Sequence, residues 1–137
     1  MGALSFAPVD RPTPAAQPGL VSFLRLAALG CRTAPRASVP ACLTLCPEAD
    51  AGTCATILAH ALPELLARRP VLHAPGTAVR SFDEEWLLAL ARARARGDTA
   101  SVRFLAGRRV RPHRRAALMV LLGALLDRLE SNGKEII

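Results

Sequence analysis

Cys31, Cys42, Cys46 and Cys54, with His60 six residues beyond the last of them, are the side chains in this sequence best suited to hold a metal ion or change redox state. Thiolate and imidazole suit zinc, and thiolate alone suits an iron–sulfur cluster. The spacing weighs against both. Structural zinc sites bring ligands two to four residues apart in two knuckles, and only Cys42 and Cys46 form such a pair. Cys42-x3-Cys46-x7-Cys54 fits none of the common cluster spacings. Free, largely buried thiols are the expected state in a reducing compartment. Were a metal to bind, Cys42, Cys46 and Cys54 would supply ligands, completed by Cys31 or His60. No cofactor is expected.

Covalent and acid–base catalysis find little support. His60, His73 and His113 stand in unrelated contexts, no serine is flanked by glycines, and no glycine-rich loop is laid out to cradle a phosphate. Asp83, Glu84 and Glu85 are accounted for by the start of a helix, which leaves no pair of carboxylates for proton transfer. A non-catalytic protein is expected.

Positive charge is the feature that calls for a partner. The chain carries a formal net charge of +7, with seventeen arginines against the single Lys134. The preference for arginine over lysine reads first as the codon bias of a GC-rich genome, but such bias does not create net charge. Residues 80 to 128 hold eleven arginines against five acidic residues, so the excess belongs to the C-terminal half. Arg108, Arg109, Arg111, Arg114 and Arg115 crowd the start of a helix, where cations oppose the helix dipole by a few tenths of a kcal/mol each, up to about 1. Arg92, Arg96, Arg103, Arg108, Arg109, Arg111, Arg114 and Arg115 are therefore the candidate binding residues. The expected function is that of a regulatory or adaptor protein docking this surface on an acidic protein partner. The runner-up is a DNA-binding regulator using the same patch, and the third reading is a cysteine-based metal or redox sensor.

The elements that must position these arginines lie between residues 81 and 130. Ser81-Phe82-Asp83-Glu84 has the form of a capping box and predicts a helix from Phe82 to about Arg96. Phe82, Trp86, Leu87, Leu90 and Ala93 fall at helical spacing and are expected to share one buried face, with Trp86 as a core anchor. Gly97-Asp98 combines a helix-ending glycine with a helix-starting aspartate. A short helix from about Thr99 to Ala106 should follow, burying Val102 with Leu105 or Phe104 and stopping at Gly107. Pro112 then suits the first turn of a helix whose Leu118, Leu121, Leu122, Leu125 and Leu129 form a stripe. Because residues 116 to 126 are apolar or glycine throughout, this helix is expected to be central and enclosed on most sides. That enclosure also argues against its use as a DNA recognition helix, since only its first turn would reach phosphates or bases.

Earlier in the chain, Pro8, Pro12, Pro14 and Pro18 mark residues 1–18 as a disordered tail. Leu20, Phe23, Leu24 and Ala27 predict a short helix ending at Gly30, with Arg25 off its buried face. Residues 32–40 read as a linker. A further helix should run from Thr53 as N-cap to about Arg69, kinked or broken at Pro63. Residues 132–137 read as a frayed tail. The expected architecture is all-α: a small bundle of four or five helices forming a single domain over residues 19–131, with its core in 81–130. Apolar runs of roughly a dozen residues are too short to span a bilayer, and no signal segment is recognisable, so a cytoplasmic protein is expected. Homo-oligomerisation through the apolar helix stays open.

Overall fold

The computed structural model describes residues 17–31, 49–131 and 136–137, and every regular element among them is helical. In chain order these are α1 (Gly19–Cys31), α2 (Ala51–Leu65), α3 (Phe82–Ala95), α4 (Thr99–Arg109) and α5 (Pro112–Ser131). The expected tail at 1–16, the linker at 32–40 and residues 132–135 lie outside the described residues.

Helix α1 lies along α2, and α2 lies along α5. Helices α3 and α4 form a second pair, which touches α1 through α3 and α5 through α4. The closest backbone neighbour of α5 is thus α2, and α3 approaches α5 through side chains. One apolar core joins them, with Leu20 and Leu24 of α1, Leu58 and Leu62 of α2, Leu87 and Leu90 of α3, and Leu118 and Leu122 of α5 fully buried. Its leucines carry the hydrophobic stabilisation, about 1.5–3 kcal/mol for each side chain taken fully out of water.

Local sequence sets most of the boundaries. Ser81 Oγ accepts from the Glu84 amide at 3.1 Å while the Glu84 carboxylate accepts from the Ser81 amide at 2.9 Å, completing the capping box. At the other end of α3, Gly97 takes φ +71°, a left-handed conformation that costs glycine little. The amides of Gly97 and Asp98 then donate back to the carbonyls of Arg94 and Ala93 at 3.1 and 2.9 Å, the paired bonds of a Schellman motif. Asp98 in turn accepts from the Ser101 amide and starts α4, so two residues end one helix and begin the next. The Ser101 hydroxyl, donating at 2.6 Å, and the Ser101 amide hold the Asp98 carboxyl below its usual range.

Several expectations need correction. Asp50, not Thr53, caps α2, accepting from the Thr53 amide at 2.8 Å. Pro63 lies inside α2 without dividing it, because it falls in the last turn, and the helix ends at Leu65 with Ala67 turning left-handed at φ 57°. Helix α1 continues past Gly30 to Cys31. Helix α4 runs through Gly107 to Arg109. What stops it is the pair Val110-Arg111: Val110 is extended, and Arg111 precedes Pro112, whose ring disfavours helical backbone before it.

Helix α5 is less enclosed than its composition suggests. Seven of its 20 residues are buried, against eight of 14 in α3, so α3 is the helix more completely surrounded. All five stripe leucines of α5 are buried as expected, but Ala116 and Val120 face outward. Alanine and glycine make a helix apolar without requiring that it be covered. Phe82 is 76% exposed, because it is the first residue of α3 and projects beyond the core that its periodicity points toward. Phe104 is exposed as well, and Ala106 is the only buried residue of α4. The end of the chain is tied down at its last two residues: the Leu20 amide donates to the Ile136 carbonyl at 3.0 Å, and Ile136 and Ile137 pack half-buried on the core.

Candidate functional site

The basic surface rests on a buried charge network. Arg25 and Glu84 are each 1% exposed and form a bidentate pair, Nε to Oε2 at 2.8 Å and Nη2 to Oε1 at 2.9 Å. This corrects the placing of Arg25 outside the buried face of α1. Both groups make further bonds. Arg25 also donates to the carbonyls of Thr77 and Val79, and Glu84 accepts from the amides of Ser81 and His73. Burial pushes the Glu84 carboxyl up, but the Arg25 guanidinium, the two amides and the Arg25 charge more than reverse this and hold it below its usual range.

What this network fastens is the irregular segment 66–81. Buried backbone amides and carbonyls need partners, and a segment with no ladder of its own must borrow them. Arg25 and Glu84 supply four, Gln17 Nε2 donates to the carbonyls of Thr77 and Ala78, and Asp83 accepts from the Val71 amide at 2.6 Å. Helices α1 and α3 are thereby joined through the loop that separates α2 from α3.

Asp83 is the second buried acid. It accepts from Arg68 at 2.6 Å and from Arg109, one carboxylate between two arginines. The Arg109 side chain is only 11% exposed, and its guanidinium carbon stands 5.2 Å from the Phe82 ring centre and 5.0 Å from that of Trp86. Its Nη1 has no hydrogen-bonding atom in reach. Cation–π attraction, worth about 0.5–2 kcal/mol, fits this placement. Trp86 is a core anchor, with its Nε1 donating to the Leu105 carbonyl at 2.9 Å, so it fastens α4 to α3.

The eight candidate arginines consequently divide. Arg109, Arg114 and Arg115 are held by the protein itself: Arg109 by Asp83, Arg114 by the Glu64 carbonyl at the end of α2, and Arg115 by the Val110 carbonyl at 2.9 Å. Arg92, Arg96, Arg103, Arg108 and Arg111 are exposed. Of these, Arg96 lies 3.7 Å from Asp98, and Arg108 covers the exposed Phe104 ring at 5.5 Å. The guanidinium groups of Arg92, Arg103 and Arg111 make no hydrogen bond or ion pair among the described residues. The uncompensated charge therefore runs from the last turns of α3, along α4, to the entry of α5. Comparison with protein-family models, curated proteins and solved structures gives no match. Geometry and charge are therefore the only guides to what this surface meets.

Two further arginines escaped the reading of the sequence. Arg94 is exposed and lies flat on α5 at Gly123, and Arg128 reaches across to the Ala49 carbonyl at 2.9 Å. The signal for Arg94 is the glycine opposite it, and that pairing is not legible without the fold. Of the metal candidates, Cys42 and Cys46 lie outside the described residues. Cys54 is buried with a free thiol, and burial raises its pKa, the reverse of what a ready ligand or nucleophile needs. No group of three potential metal ligands occurs among the described residues. No helix of the described residues is long and apolar enough to cross a membrane.

Proposed function

We propose that this protein is a non-catalytic regulatory or adaptor module that docks its arginine-rich α3–α4 surface on an acidic partner protein. The observation that carries the reading is the exposure of Arg92, Arg103 and Arg111 with no carboxylate partner among the described residues, while the nearby buried acids are spent internally on Arg25, Arg68 and Arg109. A solubilising surface would be expected to intersperse both signs of charge. Here two of the nearby acids, Asp83 and Glu84, face inward, and Asp98 reaches only Arg96. Exposed guanidinium groups form charge-assisted, often bidentate bonds with carboxylates, and such a surface also speeds encounter with a negatively charged partner.

A nucleic-acid reading keeps one observation in its favour, the exposed Phe104 ring with Arg108 beside it, since an aromatic face among arginines suits a base as well as a peptide. The two readings separate with the triple variant Arg103→Glu, Arg108→Glu, Arg111→Glu, which leaves the internally bound arginines intact. Protein docking predicts that the parent retains one acidic protein in stoichiometric amount, that the variant loses it, and that fluorescent duplex DNA is not retained at physiological salt. Tight duplex binding that weakens steeply with salt and vanishes in the variant would replace docking with nucleic-acid binding.

A further inference from the structure

An open groove of about 470 Å³ lies along α5, with Met119, Val120, Gly123 and Ala124 as its floor. Arg94 stands on one side, and Asp127 and Arg128 close the end. Val120 is exposed along the floor, whereas Gly123 is buried beneath Arg94. A Cβ at Gly123 would lie 2.8 Å from Arg94 Nη2 and 3.3 Å from its Cζ, so the guanidinium occupies the space that glycine leaves open. The Arg94 guanidinium makes no hydrogen bond or ion pair among the described residues. Arg128 spends Nε and Nη1 on the carbonyls of Ala49 and Ala124, and its Nη2 makes no such bond among the described residues. The groove thus offers a shallow apolar track with unspent guanidinium donors on its rim.

From this arrangement we infer that the α3–α5 groove receives the apolar face of an amphipathic helix from the acidic partner, with Arg94 pairing to a carboxylate on that helix. The inference rests on the docking reading above and gives it a second, apolar contact. Small residues let a second helix approach closely, and Met119 is a side chain that adapts to what it meets. Charge selects the occupant. Arg94 and Arg128 outweigh Asp127 at the rim, and a second copy of this chain would bring another formal +7. A duplex would set its phosphates over Val120 and Met119, where they gain nothing. An acidic helix with an apolar stripe satisfies both the floor and the rim.

The test is a titration of the isotopically labelled full chain with an amide-capped helical peptide of about 18 residues, bearing a leucine stripe and glutamates on its other faces. Saturable shifts centred on Arg94, Val120 and Gly123 are expected. Gly123→Ala should weaken binding roughly tenfold, as expected for one displaced charge-assisted hydrogen bond. The same change should leave thermal stability equal or higher, because alanine is the better helix former and its Cβ meets only the end of a flexible side chain. Arg94→Ala should reproduce the loss. Binding that ignores both changes but falls with Arg103, Arg108 and Arg111 would overturn the groove and keep the docking surface. Absence of saturable binding, or self-association through Val120, would overturn the inference outright, and binding of duplex DNA alone would remove the docking reading with it.

Discussion

Arg25→Met should destabilise the protein by about 3–5 kcal/mol, the usual consequence of stranding one member of a buried ion pair. A domain of this size has about 5–15 kcal/mol of total stability, so the variant should be close to unfolded at room temperature. The loss has two parts. Glu84 would keep its negative charge at a position 1% exposed, the Val79 carbonyl would lose its Arg25 donor, and the Thr77 carbonyl would keep only that from Gln17. The double variant Arg25→Met, Glu84→Met removes the stranded charge but also breaks the capping box and frees the His73 amide. It should therefore recover part of the loss and no more. Urea titration of the three proteins measures each step, and full recovery in the double variant would show that the pair matters for its charges alone and not for the loop it fastens.

The same pair gives a pH dependence whose sign reverses on mutation. In the parent, Glu84 titrates below its ordinary range, so its contribution is present above the unfolded carboxyl pKa and disappears as pH falls through the folded value. In Arg25→Met the counter-charge is gone and burial dominates, so the carboxyl should titrate above its ordinary range, and acidification should then favour the folded variant. The stability difference between parent and variant should shrink as pH is lowered from neutrality through 4.5, the ordinary value for glutamic acid. Thermal unfolding followed from pH 7 to pH 4 reads it directly, and parallel curves would refute the assignment.

How far the sequence could reveal this depends on the range of each interaction. The capping box at Ser81 and Glu84, the Gly97-Asp98 junction and the stripe Leu118–Leu129 are local patterns, and each appears as expected. So does the all-α architecture. Arg25 reads as lying off the buried face of its helix because its partner Glu84 lies 59 residues away. Glu84 was already explained by a cap, and nothing in the sequence shows that one carboxylate serves a cap, a loop amide and a buried arginine together. Phe82 matched the period of a buried face, but periodicity is blind to where the core ends. The arginine cluster is legible as charge, while the division into exposed Arg103, Arg108 and Arg111 and internally bound Arg109, Arg114 and Arg115 follows from partners on α3 and α2 for Arg109 and Arg114, and from the Val110 carbonyl before α5 for Arg115.

Asp83 is where stability and the candidate surface meet, and it carries the second large expected effect. Asp83→Asn preserves shape and can still accept from the Val71 amide, but it removes the negative charge shared by Arg68 and Arg109. Arg68 is half-exposed and can turn to water. Arg109 cannot do so cheaply, since it is held against Phe82 and Trp86 with one nitrogen already lacking a partner. A loss of about 3 kcal/mol is expected, as for a buried pair broken on one side. Arg109→Met in the same chain should restore part of it by replacing the stranded cation with an apolar side chain. The surface should respond in the opposite direction. With Asp83 neutral, Arg68 is released to the solvent and the chain gains one unit of positive charge, so an acidic peptide should bind the Asp83→Asn protein at least as tightly as the parent at low salt, under conditions where both are folded. Weaker binding by folded Asp83→Asn would mean that Asp83 acts by ordering the α3–α4 face rather than by neutralising it, and the exposed arginines would then be functional only when held in place by the network beneath them.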